Sequence, residues 1–359
     1  MGCGRCLCGL LLAVICASTV TATELEPARA LRGSESQYVV QNGDSFASIG
    51  SRFGVEPLVL AQVNRLNPKA RLQPGSIIRV DNGHIVPDGI KDGILINIPQ
   101  RMLFFFNSGV LTAAYPVALG RPTWRTPQGD FTVVETRADP IWTVPKSIQR
   151  EMARQGKEVK TKVAPGPDNP LGGYWIGLSM PALGIHGTTA PRSIYRFRSH
   201  GCIRLHPADA AKLFPMVIVG TPVRIIYEPV LLAHLDDGRI FVEANPDIYG
   251  LAPHALDDLQ TLAVSNHIGN MIDWQRVREG LERKDGLARD VTSRAATPIL
   301  RTSSLSPILS RPFRPRTSSP NAALNFRSGA SPTRHRFVRA VNSWSGMRSA
   351  RLDDLALSF

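Results

Sequence analysis

The sequence predicts a mainly β protein: a β-rich central domain, a small βααβ module before it, and an α/β extension and basic tail after it. Three observations lead there. Residues 92–227 carry many short alternating apolar runs and only two stretches with helical spacing, the pattern of a sheet-dominated domain. Residues 38–80 read strand, helix, helix, strand in that order. From Val291 onward Ser, Pro and Arg dominate, and such a segment buries too little apolar surface to offset chain ordering, so residues 291–359 are expected to be disordered.

Residues 1–22 read as an export signal. Arg5 supplies a positive start, Leu7 to Ala17 is uncharged and mostly apolar, and Val20-Thr21-Ala22 offers small residues for cleavage. The apolar run falls short of the about 20 residues that a membrane span needs, so no stable span is expected after cleavage. Four of the five cysteines lie in this segment, which leaves Cys202 as the one thiol of the mature chain. An exported protein with a single unpaired cysteine carries a liability unless that thiol has a task.

In the first module, Tyr38-Val39-Val40 reads as a strand and Asn42-Gly43-Asp44-Ser45 as a turn that also caps a helix. Phe46, Ile49 and Phe53 share one helical face, and Gly54 ends that helix. Leu58, Val59 and Val63 mark a second helix ending near Asn64, and Pro74-Gly75 turns into the strand Ile77 to Val80. Asp81 to Asp92 is rich in Gly, Pro and Asp and reads as a linker.

The central domain opens with strands at Ile94 to Ile98 and Arg101 to Phe106, then Val110 to Val117 after the Asn107-Ser108-Gly109 turn. Phe131 to Glu135 and Val223 to Tyr227 add strands, while Lys146 to Gln155 and Pro207 to Phe214 read as helices. The Phe104-Phe105-Phe106 run is expected to give core plus one exposed ring. In the extension, 228–290, Arg239 to Glu243 looks like a strand, and Leu256 to Val264 and Asp273 to Arg283 look helical.

The formal charge of +13 does not mark a nucleic-acid domain. Residues 291–359 hold 11 Arg and 2 Asp, so the tail contributes +9 and the other 290 residues only +4.

The chemistry concentrates in Ile185-His186-Gly187-Thr188 and Ser199-His200-Gly201-Cys202-Ile203-Arg204-Leu205, where His186 precedes Cys202 by 16 residues. A nucleophilic cysteine needs a base and donors for a developing oxyanion. His186 serves as base if its strand lies beside the Cys202 turn. The Gly187 carbonyl is open to accept from one ring nitrogen, which fixes the tautomer and leaves the other free. Gly201 permits close backbone approach, so the amides of Gly201 and Cys202 can point at an acyl oxygen. Arg204, two residues on, would share the face of Cys202 and hold a substrate carboxylate or the loop. His200 suits either a loop-shaping hydrogen bond or an electrostatic part in the reaction, and His206 before Pro207 reads as structural. A zinc site from His186, His200, Cys202 and His206 lacks a familiar ligand spacing, so no metal and no cofactor is called for.

Taken together, this stretch resembles the L,D-transpeptidase (YkuD-type) family of cell-wall enzymes. Pro116-Val117-Ala118-Leu119-Gly120, Thr126-Pro127-x-Gly129-x-Phe131, Pro140-x-Trp142 and Asn169-Pro170-Leu171-Gly172 extend the resemblance over residues 92–227. The first module resembles LysM through Gly43-Asp44-Ser45, Phe53-Gly54-Val55, Asn64-x-Leu66-Asn67 and Leu72-x-Pro74-Gly75. The resemblance implies a periplasmic enzyme with Cys202 as nucleophile, His186 as base and Gly187 supplying the orienting carbonyl. Ser199, His200, Gly201 and Arg204 would shape the pocket. It implies acylation of Cys202 by a peptidoglycan tetrapeptide stem at its diaminopimelate carbonyl, with release of D-alanine. Transfer would follow to an amine of another stem or to a lysine of an anchored lipoprotein, while the LysM module holds glycan strands. A carboxypeptidase or crosslink-cleaving activity of the same fold, or a non-catalytic peptidoglycan-binding protein, are the competing readings.

Overall fold

The computed structural model describes residues 26–294. The expected signal segment and nearly all of the expected tail lie outside the described residues.

In the first module, strands Glu35–Val39 and Ile77–Asp81 pair antiparallel with Tyr38 opposite Ile78, and helices Phe46–Phe53 and Pro57–Val63 lie between them in sequence. The first helix starts at Ser45 because a reciprocal cap satisfies its free amides. Ser48 N–H donates to Ser45 Oγ at 3.1 Å, and Ser45 N–H donates to Ser48 Oγ at 2.9 Å. It stops at Gly54, which takes φ 72°, a left-handed conformation that costs glycine little. Val40, Phe46, Ile49, Leu60, Ile78 and Val80 form the core of this module, and Leu287 inserts into it from the far end of the chain.

The central domain is built on a nine-stranded sheet whose ends meet. Strand Val110–Gly120 pairs by its first half with Met102–Asn107 and by its end with Ile203–Leu205. From there the order runs through Gly184–His186, Tyr174–Leu178, Gly129–Ala138, Pro222–Ile226 and Gly93–Asn97, back to Met102–Asn107. Phe197–Ser199 adds a strand against the end of Val110–Gly120. One residue in two along these strands points into the ring: Ile94, Ile96, Leu103, Val117, Ile185 and Ile203 are 0% exposed. Each such side chain contributes about 1.5–3 kcal/mol relative to leaving it in water. Phe105 joins this interior and Phe104 an outer cluster with Met102, Ala118 and Tyr195, while Phe106 is half-buried against that cluster, so the expected exposed ring is partly covered.

Two expectations are corrected. Residues 81–92 are no free linker: His84–Val86 is a buried strand paired with Ala30–Arg32. Composition hides it because its partners, Ala30–Arg32 and Glu243, lie far off in sequence. The compact part also outruns residue 290. The extension is a three-stranded sheet, Val230–His234, Ile240–Ala244 and Ala288–Asp290, under helices Ala255–Ser265 and Trp274–Arg283. Val291, assigned to the tail on composition, is 1% exposed in the core of this unit.

Candidate active site

A pocket of about 440 Å³ opens on the outer face of the ring, and His186, Cys202 and Arg204 line it together. The pairing of strands brings them there. Gly184–His186 runs parallel to Ile203–Leu205, with Ile185 beside Ile203 and His186 beside Arg204. Because side chains alternate, Ile185 and Ile203 enter the core while His186 and Arg204 face the pocket. Helix Lys146–Arg154 and the loop before Tyr174–Leu178 cover the other side with Pro145, Ile148, Pro170 and Leu171.

His186 is buried, and its Nδ1 donates to the carbonyl oxygen of Gly187 at 2.6 Å. A carbonyl only accepts, so this bond places the ring proton on Nδ1 and leaves Nε2 with its lone pair. The Leu171 carbonyl also faces the ring. Gly172 and Gly187 make that approach possible, since a Cβ on Gly187 would stand 3.2 Å from Leu171 O and one on Gly172 3.0 Å from Thr188 N. Asn169 fixes the loop. It is fully buried, its amide donates to Pro140 O at 2.7 Å, and its carbonyl oxygen accepts from Leu171 N at 3.0 Å. Burial and, after it, the Arg204 guanidinium push His186 down to about 3, against the opposing pull of the two carbonyls. The imidazole is therefore neutral through the physiological range and able to accept a proton.

Cys202 is half-buried, and its thiol donates to Ala182 O at 3.3 Å. Burial pushes the thiol up from its ordinary range, while the Gly184 N–H and Arg204 pull the other way. The resting pair is thus thiol and neutral imidazole. Ser199, 1% exposed, ties the turn together: its hydroxyl donates to Cys202 O at 2.5 Å and accepts from Gly201 N at 3.1 Å. Gly201 takes φ 105°, a conformation that favours glycine, and its carbonyl accepts from Thr126 Oγ1 at 2.9 Å. Replacing Ser199 with alanine is expected to lower kcat/KM about 10–100-fold, the loss of two bonds that set the turn. Steady-state turnover measures it, and a change under threefold would show that the turn holds without the hydroxyl.

Two candidate residues have partners of their own. The Gly201 amide donates to Ser199 Oγ within the turn, so of the two amides the Cys202 one is without that bond. His200 sits between Trp124, at a ring-centroid distance of 4.1 Å, and Glu151, to which its Nε2 donates at 2.6 Å. Arg121 Nη2 donates to Glu151 Oε1 at 3.0 Å, and its contact with the protonated Nε2 sets donor against donor. Although burial pushes Glu151 up, the bonds from Arg121 and His200 outweigh it and hold the carboxyl low. His200 thereby ties helix Lys146–Arg154 to the turn that carries Cys202, at the edge of the pocket it helps to line. His206 accepts from Ala208 N at 3.3 Å and caps helix Pro207–Leu213.

Trp175 went unread in the sequence. Its indole stacks on His186, with centroids 6.0 Å apart and planes at 29°. Its place beside Tyr174 in an apolar run marks a strand and nothing more, and only the register with His186 discloses it.

The L,D-transpeptidase catalytic domain known as YkuD matches residues 91–225, and the LysM domain matches residues 38–81. A Salmonella typhimurium protein described as "Probable L,D-transpeptidase ErfK/SrfK" is 32% identical over 263 residues, 70% of this chain and 84% of that protein. An Escherichia coli protein described as "Probable L,D-transpeptidase YcfS" is 33% identical over 243 residues, 66% of this chain and 74% of that protein. The solved catalytic domain of an E. faecium L,D-transpeptidase aligns over 39% of this chain and all of that one, at 22% identity and a TM-score of 0.29. With a relative of this identity matched over most of its length, the chain belongs to the L,D-transpeptidase family of YkuD-type enzymes and carries a LysM domain ahead of the catalytic one.

Proposed function

We propose that this L,D-transpeptidase works by acyl transfer through Cys202 in the periplasm. The observation that carries the reading is the His186 imidazole, held by the Gly187 carbonyl in one pocket with the lone described thiol. Cys202 passes its proton to His186 Nε2 as sulfur attacks the carbonyl carbon of the third stem residue, a diaminopimelate. The oxyanion is met by the Cys202 amide. The imidazolium returns the proton to the leaving nitrogen, D-alanine departs, and a thioester remains. An acceptor amine, from a second stem or an anchored lipoprotein, then loses a proton to His186 and takes the acyl group, and Cys202 regains its hydrogen. The LysM domain raises the local concentration of stems by holding the glycan. Among the described residues no helix is long and apolar enough to cross a membrane.

The test is incubation of the purified chain with a disaccharide-tetrapeptide, with products read by mass spectrometry. A crosslinked dimer lacking one D-alanine is expected. Tripeptide alone would favour a carboxypeptidase or an acceptor absent from the assay, such as a lipoprotein lysine, and no product with Cys202 shown reduced would overturn the reading.

The protonation states give a pH profile. His186, held at about 3, stays in its basic form as pH falls through 6.5, so it contributes no acid limb there. The thiol, pushed up by burial, releases its proton only at high pH. Single-turnover acylation at pH 5–10 is expected to rise toward alkaline pH without an inflection near 6.5. An inflection there that vanishes in His186→Gln would show instead a thiolate–imidazolium resting pair.

A further inference from the structure

Two cross-strand rows pass beneath the pocket. In one, Arg137 lies opposite Trp175, Trp175 opposite His186, and His186 beside Arg204. In the other, Glu135 lies opposite Gly177 and Gly177 opposite Gly184. One step before the Ile185–Ile203 pair, that second row ends at Cys202, whose sulfur faces the Gly184 N–H. A register shift makes this possible. Leu178 pairs with Val133 and Gly177 with Glu135, so Val134 is skipped. Val133 consequently enters the core, while Glu135 and Arg137 face the pocket as an ion pair.

The ground between that ion pair and the thiol is flat and apolar. Gly177 and Gly184 leave room that the Trp175 indole fills: a Cβ on Gly184 would stand 2.4 Å from Trp175 Cη2, and one on Gly177 3.0 Å from Nε1. Three strand spacings separate the backbones of Cys202 and Glu135, about 14 Å. The Cys202 and Glu135 side chains take up roughly half of that distance, which leaves space for a chain of four carbon–carbon bonds, roughly 5 Å extended, with a charged group at its end.

We infer that Glu135 and Arg137 form a clamp for the zwitterionic end of the residue whose carbonyl Cys202 attacks. The inference rests on the transpeptidase reading above. A diamino dicarboxylic residue bears, four bonds from its own α-carbon, an ammonium and a carboxylate on one carbon. With the aliphatic stem over Trp175, its ammonium meets Glu135 and its carboxylate meets Arg137, in charge-assisted hydrogen bonds. The resting Glu135–Arg137 pair is easily exchanged, because its side chains are 40% and 57% exposed and such pairs contribute about 0–1 kcal/mol. The two residues act on which stem is accepted and leave the proton transfers to His186.

The test compares two soluble tetrapeptides that differ only at the distal carboxyl of the third residue, free in one and a carboxamide in the other. The wild-type chain is expected to favour the free carboxylate at least about tenfold in kcat/KM, the worth of one charge-assisted hydrogen bond. Arg137→Met is expected to bring that ratio within threefold of one, through a rise in KM for the free carboxylate. Glu135→Gln is expected to raise KM for both peptides, because both keep the ammonium, while the ratio survives. A wild-type ratio near one, or an Arg137→Met ratio equal to a wild-type preference, would overturn the clamp. In either case D-alanine release by the wild-type chain would leave the reading of Cys202 acylation by the stem standing. Release from neither peptide by the wild-type chain would overturn that reading and the clamp with it. Thermal melts within a few degrees of wild type confirm that both variants, placed on an exposed rim, are folded.

Discussion

Cys202→Ala is expected to abolish turnover of a disaccharide-tetrapeptide, by at least about a thousandfold, and to leave binding to insoluble peptidoglycan unchanged. The size follows from what is removed. Without sulfur no thioester forms, and the pocket offers a neutral imidazole and a buried guanidinium, neither of which replaces a covalent nucleophile. Binding is spared because the LysM domain has its own core, to which Cys202 contributes nothing. The fold is spared because the half-buried side chain gives up one bond, to the Ala182 carbonyl. Electrospray mass spectrometry after exposure to a carbapenem gives a second readout: the wild-type chain should gain one acyl adduct on Cys202 and the variant none. His186→Gln should lose about 10²–10⁴-fold in acylation, the usual worth of a general base. Residual turnover by Cys202→Ala above a few per cent would place the nucleophile elsewhere.

What the sequence disclosed was local, and what it withheld was carried by distant contacts. Ser45 with Ser48, Gly54 and the Pro74-Gly75 turn announce the first module because caps and turns are decided within a few residues. His186, Gly187 and Cys202 could be singled out because residue type alone limits what they can do, and the Nδ1 bond to Gly187 needs only one step along the chain. That the Gly201 amide is engaged by Ser199, two residues earlier, was not legible, because the turn's φ angles make that choice. His200 could not be resolved without Glu151, 49 residues away. Trp175, Glu135 and Arg137 stayed hidden because strand register and the skipped Val134 decide which face they take. Simple alternation through Val133 would have put Glu135 in the core.

The segment misread as a linker makes the second large effect. Glu243→Ala is expected to destabilise the protein by roughly 3–5 kcal/mol, because it strands a buried set of donors. Glu243 is fully buried, and its carboxylate accepts from His84 Nδ1 at 3.0 Å, Ile85 N at 2.7 Å, Gln100 Nε2 at 2.9 Å and Asn245 Nδ2 at 3.2 Å. One side chain thus joins the extension, the 81–92 segment and the central domain. The other nitrogen of His84 lies 3.0 Å from Gly54 O, the carbonyl at the cap of the first LysM helix, so the chain of contacts ends in that domain. Leu287, inserted into the LysM core from the extension, makes a second tie. Removing the carboxylate leaves four donors facing a cavity, whereas Glu243→Gln keeps one acceptor oxygen and should cost less. Urea unfolding measures the difference, and limited proteolysis should cut the alanine variant within 81–92 sooner than wild type. The catalytic pocket lies on other strands, so acylation of Cys202 should persist below the lowered transition. A midpoint for Glu243→Ala within the error of wild type would mean that water replaces the carboxylate, and the tie between LysM and catalytic domains would then rest on Leu287 and apolar packing.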